Sequence, residues 1–477
     1  MRLYEKSLYN KLIEYSIDEY YPMHMPGHKR NAAFSMVNPY SIDITEIEGF
    51  DNLHHPEGIL LEGMERASEL YNAKHTNYLV GGSTAGLLTA ITAATKKGDK
   101  VLVARNCHKA VYHGIYINEL QPIYIYPLIN TIFNINGGIS PEKIEELLIK
   151  HKDIKLIIIT SPTYEGVVSD VSTISSIAHK YKVPLLVDEA HGAHLGFHPG
   201  FPHNSIQAGA DIVIHSLHKT LPAFTQTGLI HVNNDLVDYE EIKRYLGIYQ
   251  TSSPSYLLMA SIDQCITLLM DRGKNLFCQY YNLLQEFYER MKVLKNIKVL
   301  LPNEAKKFGF YDFDASKITI SVKNTDISGT RLYDMLLKEY KIQMEMVTRH
   351  YVLGMTSICD TKEGFIRLSK ALLNIDKRLQ SKPESVTKHF IDKQEIPEMV
   401  MTSSKADTCI KEIIPLGDSA GRVSGEYIYL YPPGIPLLVP GERISRELLK
   451  SILSYQTGGL QLQGLQDMKG QYIKVIQ

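Results

Sequence analysis

Val183-Pro-Leu-Leu-Val-Asp-Glu-Ala-His-Gly-Ala-His194 and Ala210-Asp-Ile-Val-Ile-His-Ser-Leu-His-Lys-Thr220 are the two stretches whose reading decides the fold. In the first, an apolar run reads as a buried strand over 183–187, which puts Asp188 at its carboxyl end. In the second, 211–215 reads the same way, and the following loop delivers Lys219. Parallel α/β sheets bind ligands outside the carboxyl ends of their strands. An acid and an amine brought there from nearby strands suit pyridoxal phosphate (PLP). The lysine forms a Schiff base, and the acid holds the proton on the pyridinium nitrogen. A lone lysine in a polar loop is ordinarily a surface residue. Here the strand before it and the acid upstream argue for a site.

Working outward, strands alternate with helices from about 56 to 270. Strands are expected at 76–80, 100–104, 121–126, 155–160, 183–187, 211–215 and 228–232, and helices at 85–96, 108–118, 141–150 and 171–181. Near-continuous apolar strands separated by helices indicate a mostly parallel sheet covered on both faces. A long helical region at 254–296 leads to a smaller α/β unit, with strands at 317–322 and 351–357 and helices at 328–339 and 362–375. The composition turns polar around 380–400, and a last unit carries Tyr431-Pro-Pro-Gly-Ile-Pro436. The expected organisation is therefore an arm (1–55), a PLP-binding large domain (56–270), a small α/β domain (271–385) and a C-terminal α+β domain (386–477). In the arm, residues 4–15 read as a short helix with Leu8, Leu12 and Ile13 on one face. Pro22, Pro26, Gly27, Asn38 and Pro39 interrupt regular structure beyond it. Such an arm needs another surface, and a partner subunit is one.

The totals narrow the class. The chain has 477 residues, 44% hydrophobic and 22% charged, with a formal net charge of −1. That balance gives no electrostatic case for nucleic acid or an anionic membrane. Five cysteines, odd in number and without a C-x-x-C pair, read as free thiols in a reducing cytosol. The N-terminus lacks the apolar core of a signal peptide, and no apolar run approaches a membrane span of about 20 residues. A soluble cytoplasmic protein is expected.

Other groups extend the site. Ser216 and His218 flank Lys219 and can donate to a phosphate. Val80-Gly-Gly-Ser-Thr-Ala-Gly86 lies between a strand and a helix, where backbone N–H groups and the Ser83 and Thr84 hydroxyls make an anion site. The same turn also reads as an ordinary helix cap. Neither G-x-G-x-x-G nor a P-loop is present, which argues against dinucleotides and nucleoside triphosphates. His108, in Arg105-Asn-Cys-His-Lys-Ala110, can lie against the face of a flat cofactor ring or simply start a helix. His191 and His194 with Asp188 or Glu189 match no standard zinc spacing, so no metal is expected. Asp43, Glu46, Glu48 and Asp51 read as a solvated acidic run that can also supply charge to a cationic substrate.

Taken together, the chain resembles the bacterial ornithine/lysine/arginine decarboxylases, in their short form. The resemblance rests on His24-Met-Pro-Gly-His-Lys-Arg30, Asp43-Ile-Thr-Glu-Ile47, Arg105-Asn-Cys-His-Lys109, Asp188-Glu-Ala-His-Gly-Ala-His194, Ser216-Leu-His-Lys-Thr-Leu-Pro-Ala223 and Tyr431-Pro-Pro-Gly-Ile-Pro436. It implies a fold-type-I PLP enzyme related in architecture to aspartate aminotransferase, and an obligate dimer with sites at the subunit interface. It implies Lys219 as the Schiff-base lysine, Asp188 at the ring nitrogen and His108 stacked on the ring. Ser83, Thr84, Ser216 and His218 would bind phosphate, and His191 would lie at the cofactor's other edge. Leu217 and the order Gly81-Gly-Ser-Thr84 depart from the common family pattern. The implied reaction is decarboxylation of a basic amino acid to a polyamine-pathway amine, with Lys219 or His218 returning the proton. Glu46, Asp51 and Glu426 are candidates for the substrate's distal cation, whereas Arg367 reads as a structural residue of its helix. Competing readings are another fold-type-I reaction, transamination or aldol cleavage, and a non-catalytic regulatory subunit.

Overall fold

The computed structural model describes residues 8–381, 390–391, 396–430, 434–457 and 462–477. Tyr431, Pro432 and Pro433 of the C-terminal motif lie outside the described residues. Seven strands form the central sheet: β1 (His75–Leu79), β2 (Lys100–Ala104), β3 (Gln121–Ile125), β4 (Ile154–Thr160), β5 (Leu185–Asp188), β6 (Ile212–His215) and β7 (Gly228–Val232). Their order is β1-β7-β6-β5-β4-β2-β3. All pairs are parallel except the two made by β7. The expected strands are all present, with ends shifted by at most a few residues. β5 and β6 are buried along their whole length, as strands covered on both faces must be.

Local chemistry places the covering helices. Ser140 accepts from the Lys143 N–H and Pro141 opens the helix Pro141–Lys150, whose Ile144 and Leu148 face the core. Asp170 caps Val171–Lys180 in the same way. A helix of 36 residues, Tyr256–Met291, starts at the Ser255 cap and is about 54 Å long at 1.5 Å per residue. It packs on both Ile59–Tyr71 of the large unit and Lys362–Asp376 of the small one. The boundary expected at 270/271 falls inside this continuous helix.

The small unit is an antiparallel sheet ordered Lys298–Val299, Lys317–Ser321, Tyr351–Met355, Met346–Val347. Its short edge strands escaped the sequence reading because two residues carry no periodicity. The C-terminal unit pairs Lys411–Pro415 with Tyr472–Ile476, and sets Ile428–Leu430 between Ile435–Leu438 and Leu462–Gln463. Leu416, Ile428, Leu438, Ile452 and Val475 close its own core.

The arm departs from expectation. Its helix is Leu8–Ile17, and Leu8, Leu12, Ile13 and Ile17 are all exposed in the single chain. Beyond it, Tyr21–Met23 forms a strand parallel to Ile342–Met344 despite Pro22. A proline is tolerated there because this is a two-stranded edge pair with few ladder bonds to lose. Much of the arm therefore packs on its own chain. The Lys29 ammonium is buried and donates to the carbonyls of Pro22, His24 and Met355. The Gly27 N–H donates to the His218 carbonyl at 2.7 Å, so the arm rests on the turn that carries Lys219.

Gly27 has no room for a side chain, since an added Cβ would stand 2.6 Å from both the backbone N and O of Leu221. Gly27→Ala should cost about 1–3 kcal/mol through overpacking, measurable by urea unfolding. It should also increase proteolytic cleavage in the arm.

Candidate active site

The site forms where β4, β5 and β6 end together. Asp188 is the last residue of β5 and stands in register with Thr160 of β4 and Ile214 of β6. Lys219 sits on the single helical turn Leu217–Thr220 that follows β6, and fully buried Leu217 anchors that turn in the core. Leu217, the departure from the family pattern, thus serves packing. Lys219 Nζ lies 3.1 Å from His191 Nε2. Burial raises the Asp188 carboxyl and lowers the Lys219 amine, while their mutual attraction opposes both shifts.

Four more sequence-derived residues, His108, His218, Ser83 and Ser216, lie on the segments around this pair. His108 caps the helix Lys109–Ile117, its Nδ1 accepting from the Ala110 N–H. Burial and the neighbouring Lys219 charge push its imidazole down to about 3, so the ring is neutral and flat. His218 must carry its proton on Nδ1, because that atom lies 2.9 Å from the Thr227 carbonyl, which can only accept. Burial pushes this ring down to about 4. Ser83 and Ser216 share a hydrogen bond of 2.5 Å, which joins the start of the helix Gly82–Ala94 to the turn before Lys219. Thr84, on the first turn of that helix, is exposed.

The pocket has polar atoms to spare. Among the described residues, Asn106 Oδ1, Thr160 Oγ1, His191 Nδ1 and Thr220 Oγ1 are buried without a hydrogen-bond partner. Buried polar atoms are rarely left unpaired in native proteins. Four from segments that meet around Asp188 and Lys219 fit a bound polar group.

Sequence reading missed what holds the 189–194 loop. Glu189 is buried and accepts from the Ser205 N–H, the Ser205 hydroxyl and His215 Nε2. His215 Nδ1 meets His231 Nε2 at 3.0 Å, and His231 Nδ1 meets Thr76 Oγ1 at 2.8 Å. This polar chain runs across β6, β7 and β1 beneath the site. On the other side His194 bonds Asp314, and Tyr164 lies tilted at 54° against the His191 ring, centroids 4.4 Å apart, while donating to Glu345 at 2.5 Å. No spacing rule links these residues, because their partners come from different strands and from the small unit.

The acids named for the distal cation separate. Asp51 accepts from the N–H groups of Asn52, Glu57, Gly58 and Leu60, so its carboxylate caps the helix Ile59–Tyr71. Glu426 accepts from the N–H groups of Gln466 and Lys474 inside the C-terminal unit. Glu46 is exposed on the arm. Arg367 donates to the carbonyls of Tyr340 and Glu19, which ties its helix to the arm, as its helical position suggests. Arg105 is buried, donates to the Pro436 carbonyl and pairs with Glu442 at 3.1 Å. The Lys109 N–H donates to the Gly434 carbonyl. The C-terminal unit is thereby fastened to the loop that carries His108.

The depressed histidines fix a pH dependence. The unfolded imidazole, near 6.5, takes up a proton that the folded one refuses until about 3 for His108 and about 4 for His218. Stability from this source is therefore full above pH 6.5 and falls with pH at about 1.4 kcal/mol per unit for each histidine. Urea unfolding of His108→Gln should show that slope reduced by one histidine's share between about pH 6 and 4.

Comparison with known proteins bears on this geometry. The profile of the "Orn/Lys/Arg decarboxylase, major domain" family matches residues 6–332, and that of its C-terminal domain matches 384–474. The chain is 32% identical to an arginine decarboxylase of Bacillus subtilis, covering 100% of this chain and 99% of the relative. It is 33% identical to an arginine decarboxylase of Halalkalibacterium halodurans over 95% and 94% of the two chains. Among solved structures, a lysine decarboxylase of Francisella novicida superposes with a TM-score of 0.77 at 22% identity, over 98% of this chain and 80% of that one. A ureidoglycine-glyoxylate aminotransferase of Bacillus subtilis shares the fold at a TM-score of 0.58 and 14% identity, over 76% and 94% of the chains. With its profile matched across both units and its relatives matched end to end, the chain belongs to the Orn/Lys/Arg decarboxylase family and is a decarboxylase of a basic amino acid.

Proposed function

We propose that the chain is a PLP-dependent arginine decarboxylase that works as a cytoplasmic homodimer and supplies a polyamine-pathway amine. The observation that carries the cofactor reading is the 3.1 Å contact of Lys219 Nζ with His191 Nε2 beside buried Asp188, whose charge acts on Lys219. The unpartnered atoms Thr160 Oγ1, His191 Nδ1 and Thr220 Oγ1 support it, since a polar ligand would satisfy them. PLP, when bound, supplies a sink for the electron pair released as the Cα–carboxylate bond breaks.

The chain's own residues divide the remaining work. Lys219 would hold the cofactor covalently, its amine kept nucleophilic by burial. Asp188, as a carboxylate, would hold a proton at the ring nitrogen. Neutral His108 would offer its ring face, and a protonated imidazole there would repel Lys219. Ser83, Thr84 and Ser216 would receive the phosphate at the N-terminus of the helix Gly82–Ala94, while the His218 ring, its one N–H held by Thr227, would not donate to it. The proton to Cα is assigned to the Lys219 amine. His218 spends its one N–H on Thr227 and has no acidic proton to give.

Arginine is preferred because relatives named arginine decarboxylase are 30–33% identical. Those named lysine decarboxylase reach 23–26% and are covered over only 68–75% of their length. For the distal cation Glu46 is preferred, since Asp51 and Glu426 already serve backbone amides. The exposed Leu8, Leu12 and Ile17 support a partner subunit over the arm helix. Free cysteines throughout fit a reducing compartment, and among the described residues no helix is long and apolar enough to cross a membrane.

Incubation of the PLP-loaded protein with arginine, lysine and ornithine should yield carbon dioxide and amine from arginine at a kcat/KM at least about tenfold above the others. A lysine preference would overturn the substrate assignment. Lys219→Ala should abolish both turnover and the visible absorbance of the loaded protein. Sedimentation velocity should show a dimer, and Leu8→Asp with Leu12→Asp should weaken it.

A further inference from the structure

Lys317 is a lysine in an unusual place. It opens the small unit's strand Lys317–Ser321, yet its side chain has no solvent exposure. Gly166, on the large unit, makes the space. A Cβ there would stand 2.8 Å from Lys317 Cγ, and Gly166 has φ +101°, which side chains rarely adopt. Within this slot Lys317 Nζ donates to the His191 carbonyl, to Ser316 Oγ and to Asp314 Oδ2, each at 3.2 Å. Asp314 Oδ1 in turn meets His194 Nε2 at 2.9 Å. Two lysines thus grip one histidine: Lys219 at the ring nitrogen and Lys317 at the backbone carbonyl.

We propose that Lys317 is a positioning residue for the decarboxylation: it holds His191 against Lys219 and sets the positive charge felt at the Lys219 nitrogen. The proposal rests on the reading of Lys219 as the cofactor-bearing lysine. Burying an ammonium is costly unless it is paired and fully hydrogen-bonded. Surface packing would be met by an apolar side chain in the same slot. A cation held there by three acceptors, one of them the carbonyl of the residue that touches Lys219, points to a role in the site.

The surrounding charges give the sign of the effect. Lys219 faces Asp188 at the end of β5, Glu345 from the small unit, the imidazoles of His191, His108 and His218, and Lys317. Lys317 faces Asp314 and, from the arm, Lys29. Burial opposes ionisation of Asp314, but His194 and Lys317 outweigh it and hold that carboxyl well below its usual range. Asp314 is therefore an anion that screens Lys317. Removing Lys317 should make a proton on the Lys219 nitrogen easier to keep. Removing Asp314 should leave the Lys317 charge unscreened and make it harder to keep.

The test is the pH midpoint of the visible absorbance band of the PLP-loaded protein, with PLP affinity and kcat measured alongside. Lys317→Gln, which retains a donor for the His191 carbonyl, should raise the midpoint by on the order of one pH unit. Lys317→Arg should restore it, and Asp314→Asn should lower it. A roughly tenfold fall in kcat with KM little changed should accompany Lys317→Gln. If Asp314→Asn does not fold, the Gln and Arg variants decide between them. A wild-type protein that takes up no PLP overturns the cofactor reading. A wild type that loads normally, with a midpoint that neither Gln nor Asn moves or that both move the same way, overturns the role of Lys317.

Discussion

The structure depends on keeping an acid and an amine together, out of water, at the carboxyl end of a parallel sheet. Asp188 and Lys219 are both buried, and each would be costly there alone. Their placement requires β5 and β6 to lie side by side in parallel, joined by a crossover over 189–211 that consists of turns rather than a helix. β5 and β6, which carry the acid and lead to the amine, are buried along their whole length, as is their neighbour β7.

Around this pair the loops are held by polar contacts from distant parts of the chain. The arm supports the Lys219 turn through Gly27. The C-terminal unit clasps the His108 loop through Arg105 and Glu442. The small unit reaches the His191 loop through Lys317, Asp314 and Glu345. Each contact is buried, so each polar group is strong when paired and costly when not. The candidate site residues Lys219, His108 and His191 sit on short turns, and these outside supports hold those turns.

How much of this was legible in the sequence depended on the range of the interaction. The strand at 183–187 and the acid after it could be read because periodicity and a strand end are local properties. Lys219 could be read because it follows the next such strand. The motif implied His191 at the cofactor's edge, but its contact with Lys219 needed coordinates. Glu189 lies in the same motif, and its partners Ser205, His215 and His231 carry no spacing signature that would unite them. Asp51 looked like a substrate anion because acids cluster around it. Its carboxylate instead satisfies three backbone N–H groups at a helix start, a demand that only the folded turn creates.

By itself the sequence determined the alternation of strands and helices, the acid–lysine pair and the family motifs, because these depend on side-chain chemistry over a few residues. Tertiary structure alone decided that Pro22 could sit in a strand and that the His218 N–H is spent on the Thr227 carbonyl. It also decided that Lys317, at the start of a strand, is buried behind His191. The physical reason is common to all three. Proton positions, charge screening and the cost of burial are set by neighbours far away in the chain, and only packing brings those neighbours together.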